Sequence, residues 1–493
     1  MRRRELLLLA GLAAVAVALR FWRLGDWNFQ ATEMFTLRDS HAPQFGNWRP
    51  LGYLLNYYGV RPFLPLDEFG LRLLPAIFGV LAIPAFYFVA RRLAGTRAAL
   101  FGTLFLALSP LLVMYSQLAR YWSLVFLLSA VYPYAVYWGV RERDRRALAL
   151  GLVTGVLAAL AHPVSMLLVG GLLVWFLVTY LRPSYVAQLW RQKYVRWTAL
   201  LLVILAGLAA VRFIPMLQGW ISQHDRNPGS GQFLLQRGTQ GLKQILNLAA
   251  YVESLTAPLA LSAVAGIYLL WKERDRSLAL FLTALAVFPI AFITLVSLRT
   301  PVSLYYLLPA VPVFFIGAGV FLDRLFQVNL HPRWLLPSVL AATVIAAGAP
   351  TLISEYRDGR RYDFRTVAHW LEERLRPGDF VFSDQAVVLA HYLPGVRVER
   401  LRHDTTPLKQ SMRVLDQSES PGSVWIVAPA PSHARRTNLK RGGLIDWIYD
   451  NCRLRNSVGV GRFDFRQNYL QIYRCLPVEP GSDPQPSKAS TAH

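Results

Sequence analysis

The sequence predicts a multi-span α-helical membrane protein of about eleven spans with a C-terminal extracytoplasmic α/β domain. Three observations predict it. Of 493 residues, 54% are hydrophobic and 16% charged, with a mean hydropathy of +0.33, too apolar for a water-soluble enzyme. Apolar runs near the roughly 20 residues that cross a bilayer recur from the N-terminus to about residue 354. Basic residues gather between alternate runs, as in the cytoplasmic connections of a multi-pass protein. The formal charge of +23, from 52 Lys and Arg against 29 Asp and Glu, therefore reads as topology and not as a nucleic-acid surface.

The elements follow in order. Arg2, Arg3 and Arg4 before an apolar run resemble a signal peptide, but no small-residue cleavage site follows. The run continues to Phe21 and Trp22, so it reads as a retained span at 5–22 with a cytoplasmic N-terminus. An outer loop at 23–68 precedes spans near 69–90, 97–116, 121–140, 147–161, 163–181 and 197–215. A second outer segment at 216–252 leads to spans near 253–271, 277–297, 304–323 and 334–354. Every inner connection is basic: Arg91, Arg92 and Arg97; Arg141 to Arg146; Arg182 to Arg196; Lys272 to Arg276; Arg324 and Arg333. An odd span count puts the chain beyond 355 outside, and residues 1–354 form the membrane domain.

Residues 355–478 change character. Asp363 to Leu375 reads as an amphipathic helix stopped by Pro377-Gly378, and short apolar runs at Phe380–Phe382 and Val424–Val427 read as strands. Only two cysteines occur, which excludes a disulfide scaffold or a Cys-rich metal site; facing an oxidising compartment, Cys452 and Cys475 are expected to pair. Residues 479–493 have the composition of a disordered tail.

Ionisable groups beside apolar spans are costly and mark function. The topology gathers them at the outer boundary: Glu33, Asp39 and His41 in the first outer loop; Gln117 and Arg120 at the next outer turn; His162 at another; Arg299, Tyr305 and Tyr306 at a later one. Each also has a plainer reading. Glu33 suits a helix start, Arg120 could snorkel to lipid phosphate, and His162 before Pro163 is most often a helix end. Asp67 is expected to cap the second span. No HExxH or paired-His spacing appears, so no metal site is predicted from a motif.

The run Arg20-Phe-Trp-Arg-Leu-Gly through Thr32-Glu33, then Trp48-Arg-Pro-Leu-Gly-Tyr, Glu68-Phe-Gly-Leu-Arg, Leu108-Ser-Pro and Gln117-Leu-Ala-Arg resembles bacterial GT-C glycosyltransferases. Tyr305-Tyr-Leu-Leu-Pro and Asp363-Phe-Arg extend the likeness, which is to the group of protein O-mannosyltransferases and aminoarabinose transferases, over about 480 residues. The resemblance implies a GT-C fold in a bacterial inner membrane. It also implies transfer of a sugar from a polyprenyl-phosphate donor to a hydroxyl acceptor on protein, glycan or lipid. The family places an Asp-Glu pair in the first outer loop; here Thr32 stands at the Asp position and Glu33 alone remains. Glu33 as base, Asp39 in its place, or a non-catalytic scaffold of the same fold all stay open. Arg120 and Arg299 are the expected phosphate ligands, with Gln117, His162, Tyr305 and Tyr306 in support. No cofactor is required by these motifs, and carboxylates of one loop can hold a hard divalent cation or act without one. A lipid-linked substrate transporter is the rival of another class; it would place charge near the midplane within repeated halves, and no such repeat is visible.

Overall fold

The computed structural model describes residues 3–180 except 48, 193–225, 255–297 except 274, 304–358 except 329–330, and 362–475 except 402–404, 417–421, 430–443 and 461–467. Arg299, Trp48, Arg2, Arg182, Arg191, Arg274, residues 226–252 of the second outer segment and the tail from 479 lie outside the described residues. Two compact units emerge: Met1–Leu24 with Thr36–Ile353, and Gly25–Phe35 with Ser354–His493.

The first unit is helical. In chain order it contains α1 (Arg3–Phe21), α2 (Ala31–Asp39, begun in the other unit), α3 (Pro50–Leu55) and α4 (Glu68–Ala94). Next come α5 (Thr96–Leu108), α6 (Pro110–Ser116), α7 (Trp122–Ser129), α8 (Tyr132–Arg141), α9 (Arg145–Ala161) and α10 (Leu167–Tyr180). The set ends with α11 (Lys193–Asp225), α12 (Ala257–Lys272), α13 (Arg276–Ser297), α14 (Val311–Leu325) and α15 (Leu335–Asp358). Among the described residues six helices are long and apolar enough to cross a membrane, or seven if the bent pair α5–α6 is one span. Residues 97–116, expected as one span, bend by 56° between those two helices. Pro110 has no N–H to donate, so the α-helical ladder stops at Leu108 and frees the carbonyls behind it.

Those freed carbonyls explain a buried cation. Arg20, fully buried at the end of α1, donates to the carbonyls of Ala107 at 3.2 Å and Leu106 at 3.4 Å. Gln117 answers from the other side, its amide donating to the carbonyls of Leu19 at 3.1 Å and Trp22 at 2.9 Å. Each of two helix ends is thus satisfied by a side chain attached near the other. Asp67 caps α4 by accepting from the Gly70 N–H at 2.8 Å, as its place before the apolar run predicts. Glycines allow backbone contact between helices: a Cβ on Gly266 of α12 would fall 1.9 Å from the Gly317 carbonyl oxygen of α14.

The second unit holds a five-stranded sheet of order β2-β1-β3-β5-β4. Its strands are β1 (Phe380–Ser383), β2 (Val398–Arg400), β3 (Val424–Pro429), β4 (Cys452–Val460) and β5 (Asn468–Cys475). Around them run α16 (Phe364–Glu372), α17 (Ala386–Tyr392), α18 (Thr406–Asp416) and α19 (Leu444–Asn451). β1 is parallel to β2 and β3, while β5 is antiparallel to β3 and β4. Buried Val381, Ile426, Val427 and Ile472 supply the strand core. The Pro377-Gly378 turn needs a positive φ, 96° at Gly378, and Asp379 fastens it by accepting from the Ser423 N–H and the Trp425 indole N–H. Cys452 and Cys475 face each other in register and are joined by a disulfide.

Burial pushes the Asp384 carboxyl, just past β1, up to about 6, against the pull of the Gln385 backbone N–H and Arg400. Its folded value lies above its unfolded one, so it favours folding below about pH 4, and that favour is lost as pH rises through about 6. Asp384→Asn is therefore expected to stabilise this unit by about 2 kcal/mol at pH 7.5 and to leave it unchanged near pH 4. Thermal melts of the full chain at the two pH values measure the difference; equal shifts at both would refute it.

Candidate active site

Four segments of the first unit converge on Tyr121. The turn between α6 and α7 carries Gln117, Arg120, Tyr121 and Trp122, because the run of helix-breaking geometry from Gln117 to Tyr121 lifts these side chains off a regular helix. α3 begins at Pro50, whose fixed φ suits a first helical position, and Arg49 is its N-cap residue. Gly52 of α3 comes so close that a Cβ there would lie 3.0 Å from the Tyr121 Cβ.

Two guanidiniums approach the Tyr121 ring, Arg49 5.0 Å and Arg120 4.9 Å from its centroid. Arg120, 8% exposed, donates to the Tyr121 hydroxyl at 2.9 Å and to the Thr36 hydroxyl at 3.3 Å. Arg49 donates to the Tyr53 hydroxyl at 3.0 Å. Hydroxyl and ring contacts thus hold both forks in fixed orientation, the condition for directed recognition of an anion. Thr36, Asn56, Gly52 and Arg120 line a narrow pocket beside Tyr121 that Leu71, Pro75 and Phe78 of α4 close on its apolar side.

Behind Tyr121 stands an aromatic wall. His162 lies 4.9 Å from the Trp122 ring, 5.4 Å from Tyr121 and 5.9 Å from Tyr306. Tyr305 packs 4.7 Å from Trp122 and 4.6 Å from Tyr306. His162 Nδ1 accepts the Val164 N–H at 3.0 Å, so the residue ends α9 and starts the next turn. The helix-end reading holds, and the cap fixes the ring that packs against the tyrosines.

The structure therefore brings Arg120, His162, Tyr305 and Tyr306 into one cluster. Gln117 lies on the same turn, with its amide on the carbonyls at the end of α1. Asp39, 9% exposed at the end of α2, accepts from the Arg38 guanidinium at 2.8 Å and is not among the residues lining the pocket. Glu33 is fully buried, and its Oε2 accepts the Gln30 N–H at 2.7 Å at the start of α2. That is one half of a capping box, with the carboxylate also favoured by the helix N-terminus. Among the described residues no three His, Cys, Asp or Glu side chains gather to hold a metal ion. Arg49, Thr36 and Tyr121 are the residues the sequence reading passed over. The available signal was Arg49 itself, a cation in a loop that the positive-inside pattern assigns to the outer side.

Residues 63–212 match the family model of dolichyl-phosphate-mannose-protein mannosyltransferases. No curated protein matches the chain by sequence. Among solved structures, ArnT from Cupriavidus metallidurans in the apo state is similar at a TM-score of 0.53 and 16% identity, over 94% of this chain and 97% of that one. The same enzyme bound to undecaprenyl phosphate gives 0.52 and 16%, over 97% and 99%. The oligosaccharyltransferase of Archaeoglobus fulgidus in its apo form gives 0.57 and 13%, over 95% of this chain and 76% of that one. The family-model match covers less than half of the chain, and the likeness to ArnT and the archaeal oligosaccharyltransferase, at 16% identity or less, shows that the chain shares their fold.

Proposed function

We propose that the protein transfers a sugar from a polyprenyl-phosphate donor to a hydroxyl acceptor on the extracytoplasmic face of a bacterial inner membrane, inverting the anomeric centre. The observation that carries this reading is the pair of guanidiniums, Arg49 and Arg120, both held beside the Tyr121 ring. Two similar structures support the partners: ArnT was solved with undecaprenyl phosphate bound, and the archaeal oligosaccharyltransferase with an acceptor peptide tethered to it. The alternation of basic connections supports the sidedness, with the C-terminal sheet unit outside.

In the reaction the acceptor oxygen forms a bond to the anomeric carbon as the bond from that carbon to the phosphate oxygen breaks. The acceptor proton passes to Glu33, and the electron pair of the broken bond leaves with the polyprenyl phosphate. Its growing negative charge is met by the Arg49 and Arg120 forks, directed donors that need no reorientation as the charge develops. Asp39 stands in reserve as the base. No step is assigned to a metal ion.

Turnover of labelled polyprenyl-phosphate sugars by the purified chain in lipid nanodiscs tests the reading. Arg49→Ala and Arg120→Ala are each expected to lower kcat/KM for the donor by about a hundredfold or more, with Arg120→Lys intermediate because it keeps charge but not the fork. Unchanged kinetics in both alanine variants would remove these residues from the mechanism. Wild type silent with every donor would favour the non-catalytic scaffold, a reading that Thr32 at the family's Asp position supports.

A further inference from the structure

Within the second unit, the side chains of Arg365, His391 and Tyr392 and the Tyr362 carbonyl hold the short segment that leads into α2. The Tyr392 hydroxyl accepts the Phe29 N–H at 2.7 Å. Asn28 donates from its amide to the Tyr362 carbonyl at 2.5 Å. Arg365 donates to the Asp26 carbonyl at 3.4 Å and lies 5.6 Å over the Tyr392 ring. The Phe29 ring, 2% exposed, meets His391 edge-on at 5.5 Å. Asp26, Asn28 and Phe29 are thus tied to α16, to Tyr362 just ahead of it, and to α17.

We infer that Tyr392 is a positioning residue that sets the orientation of the Glu33 carboxylate through the backbone of Phe29 and Gln30; this rests on the assignment of Glu33 as base. The geometry makes the link short. Glu33 Oε2 accepts the N–H of Gln30, and the peptide that carries that N–H begins at Phe29, whose own N–H sits on the Tyr392 hydroxyl. Rotating the Phe29 backbone turns the Gln30 N–H, and the carboxylate follows its donor. Asn28 and Arg365 limit rotation of the residues just before. The sheet unit thereby holds the entry to α2 in the conformation from which Glu33 reaches a hydroxyl proton. Misplacing a general base by a fraction of an ångström is enough to slow proton transfer while leaving donor binding alone.

Tyr392→Phe removes one oxygen and keeps the ring under Arg365. In the full chain in nanodiscs it is expected to lower kcat about tenfold, the rate equivalent of one hydrogen bond, with donor KM within about twofold of wild type. Amide exchange over residues 29–33 is expected to rise about tenfold while exchange in β1 and β3 stays the same. A purely structural role would instead raise exchange across the sheet and scale activity with the folded fraction. Normal kcat in Tyr392→Phe alongside a silent Glu33→Gln overturns the positioning role and leaves the base assignment standing. Full turnover in Glu33→Gln overturns the base assignment, and the inference with it. Unchanged exchange over 29–33 shows that Tyr392 does not restrain the segment and also overturns it.

Discussion

Glu33→Gln is expected to lower kcat by about a thousandfold while leaving donor KM near its wild-type value, within the range that a positioned general base contributes. The substitution is chosen for what it preserves. Glu33 fills a fully buried position and accepts the Gln30 N–H at the start of α2. Glutamine has the same shape, and its carbonyl oxygen can accept the same N–H, so the helix start survives. What is lost is the negative charge and with it the capacity to take a proton. Glu33→Ala would confound the result, because it also opens a cavity and removes the cap, costing about 1 kcal/mol or more of local stability. Asp39→Asn supplies the contrast: with its carboxylate engaged by Arg38, it is expected to change kcat by less than about threefold. Loss of activity in Asp39→Asn with retention in Glu33→Gln would transfer the role to Asp39. Equal and complete retention in both would leave the α2 carboxylates without a part in the chemistry.

Local pattern made some of this architecture readable and hid the rest. Asp67 and the residues around Gly378 announce themselves because cap and turn chemistry involves neighbours in sequence. His162 before Pro163 was readable as a helix end for the same reason, and its packing against Trp122 and Tyr306 was not, since those residues lie far along the chain. Gln117 and Arg20 show the limit most clearly. Gln117 is conspicuous as a polar group beside apolar helices, yet the carbonyls that it and Arg20 donate to lie about 90 residues away, at the ends of α1 and α5. No periodicity encodes that exchange. Span counting failed to register the bend at Ser109-Pro110 because hydropathy averages over it, whereas the backbone cannot. Arg49 was passed over because its role depends on α3 laying the Gly52 backbone against the Tyr121 side chain, a closeness that leaves no trace in composition.

The same closeness sets the second large effect, Gly266→Val, which is expected to destabilise the helical unit by about 3 kcal/mol or more. In the sequence Gly266 looks like a weak point within α12, since glycine costs about 1 kcal/mol relative to alanine inside a helix. The crossing reverses that judgement. A Cβ at Gly266 would lie 1.9 Å from the Gly317 carbonyl oxygen and 2.8 Å from its carbon, while a Cβ at Gly317 would lie 2.6 Å from the Ala263 carbonyl oxygen. Backbone thus meets backbone from both sides, and no flexible side-chain end is available to swing away. Nor can α14 retreat, because a Cβ at Gly319 would fall 2.1 Å from the Ala98 carbonyl oxygen of α5. α14 is gripped between α12 and α5, and separating either pair forfeits the dispersion contacts that hold helices together in lipid, where the hydrophobic effect gives no help. Gly207 of α11 is the control: nothing lies within 4 Å of a Cβ there, so Gly207→Ala is expected to be neutral or to stabilise by up to about 1 kcal/mol. Unfolding monitored in detergent micelles separates the two cases. A Gly266→Val chain as stable as Gly207→Ala would mean that α12 and α14 do not cross at these glycines, and the helical scaffold that carries Arg49, Arg120 and the tyrosine wall would have to be packed in another way.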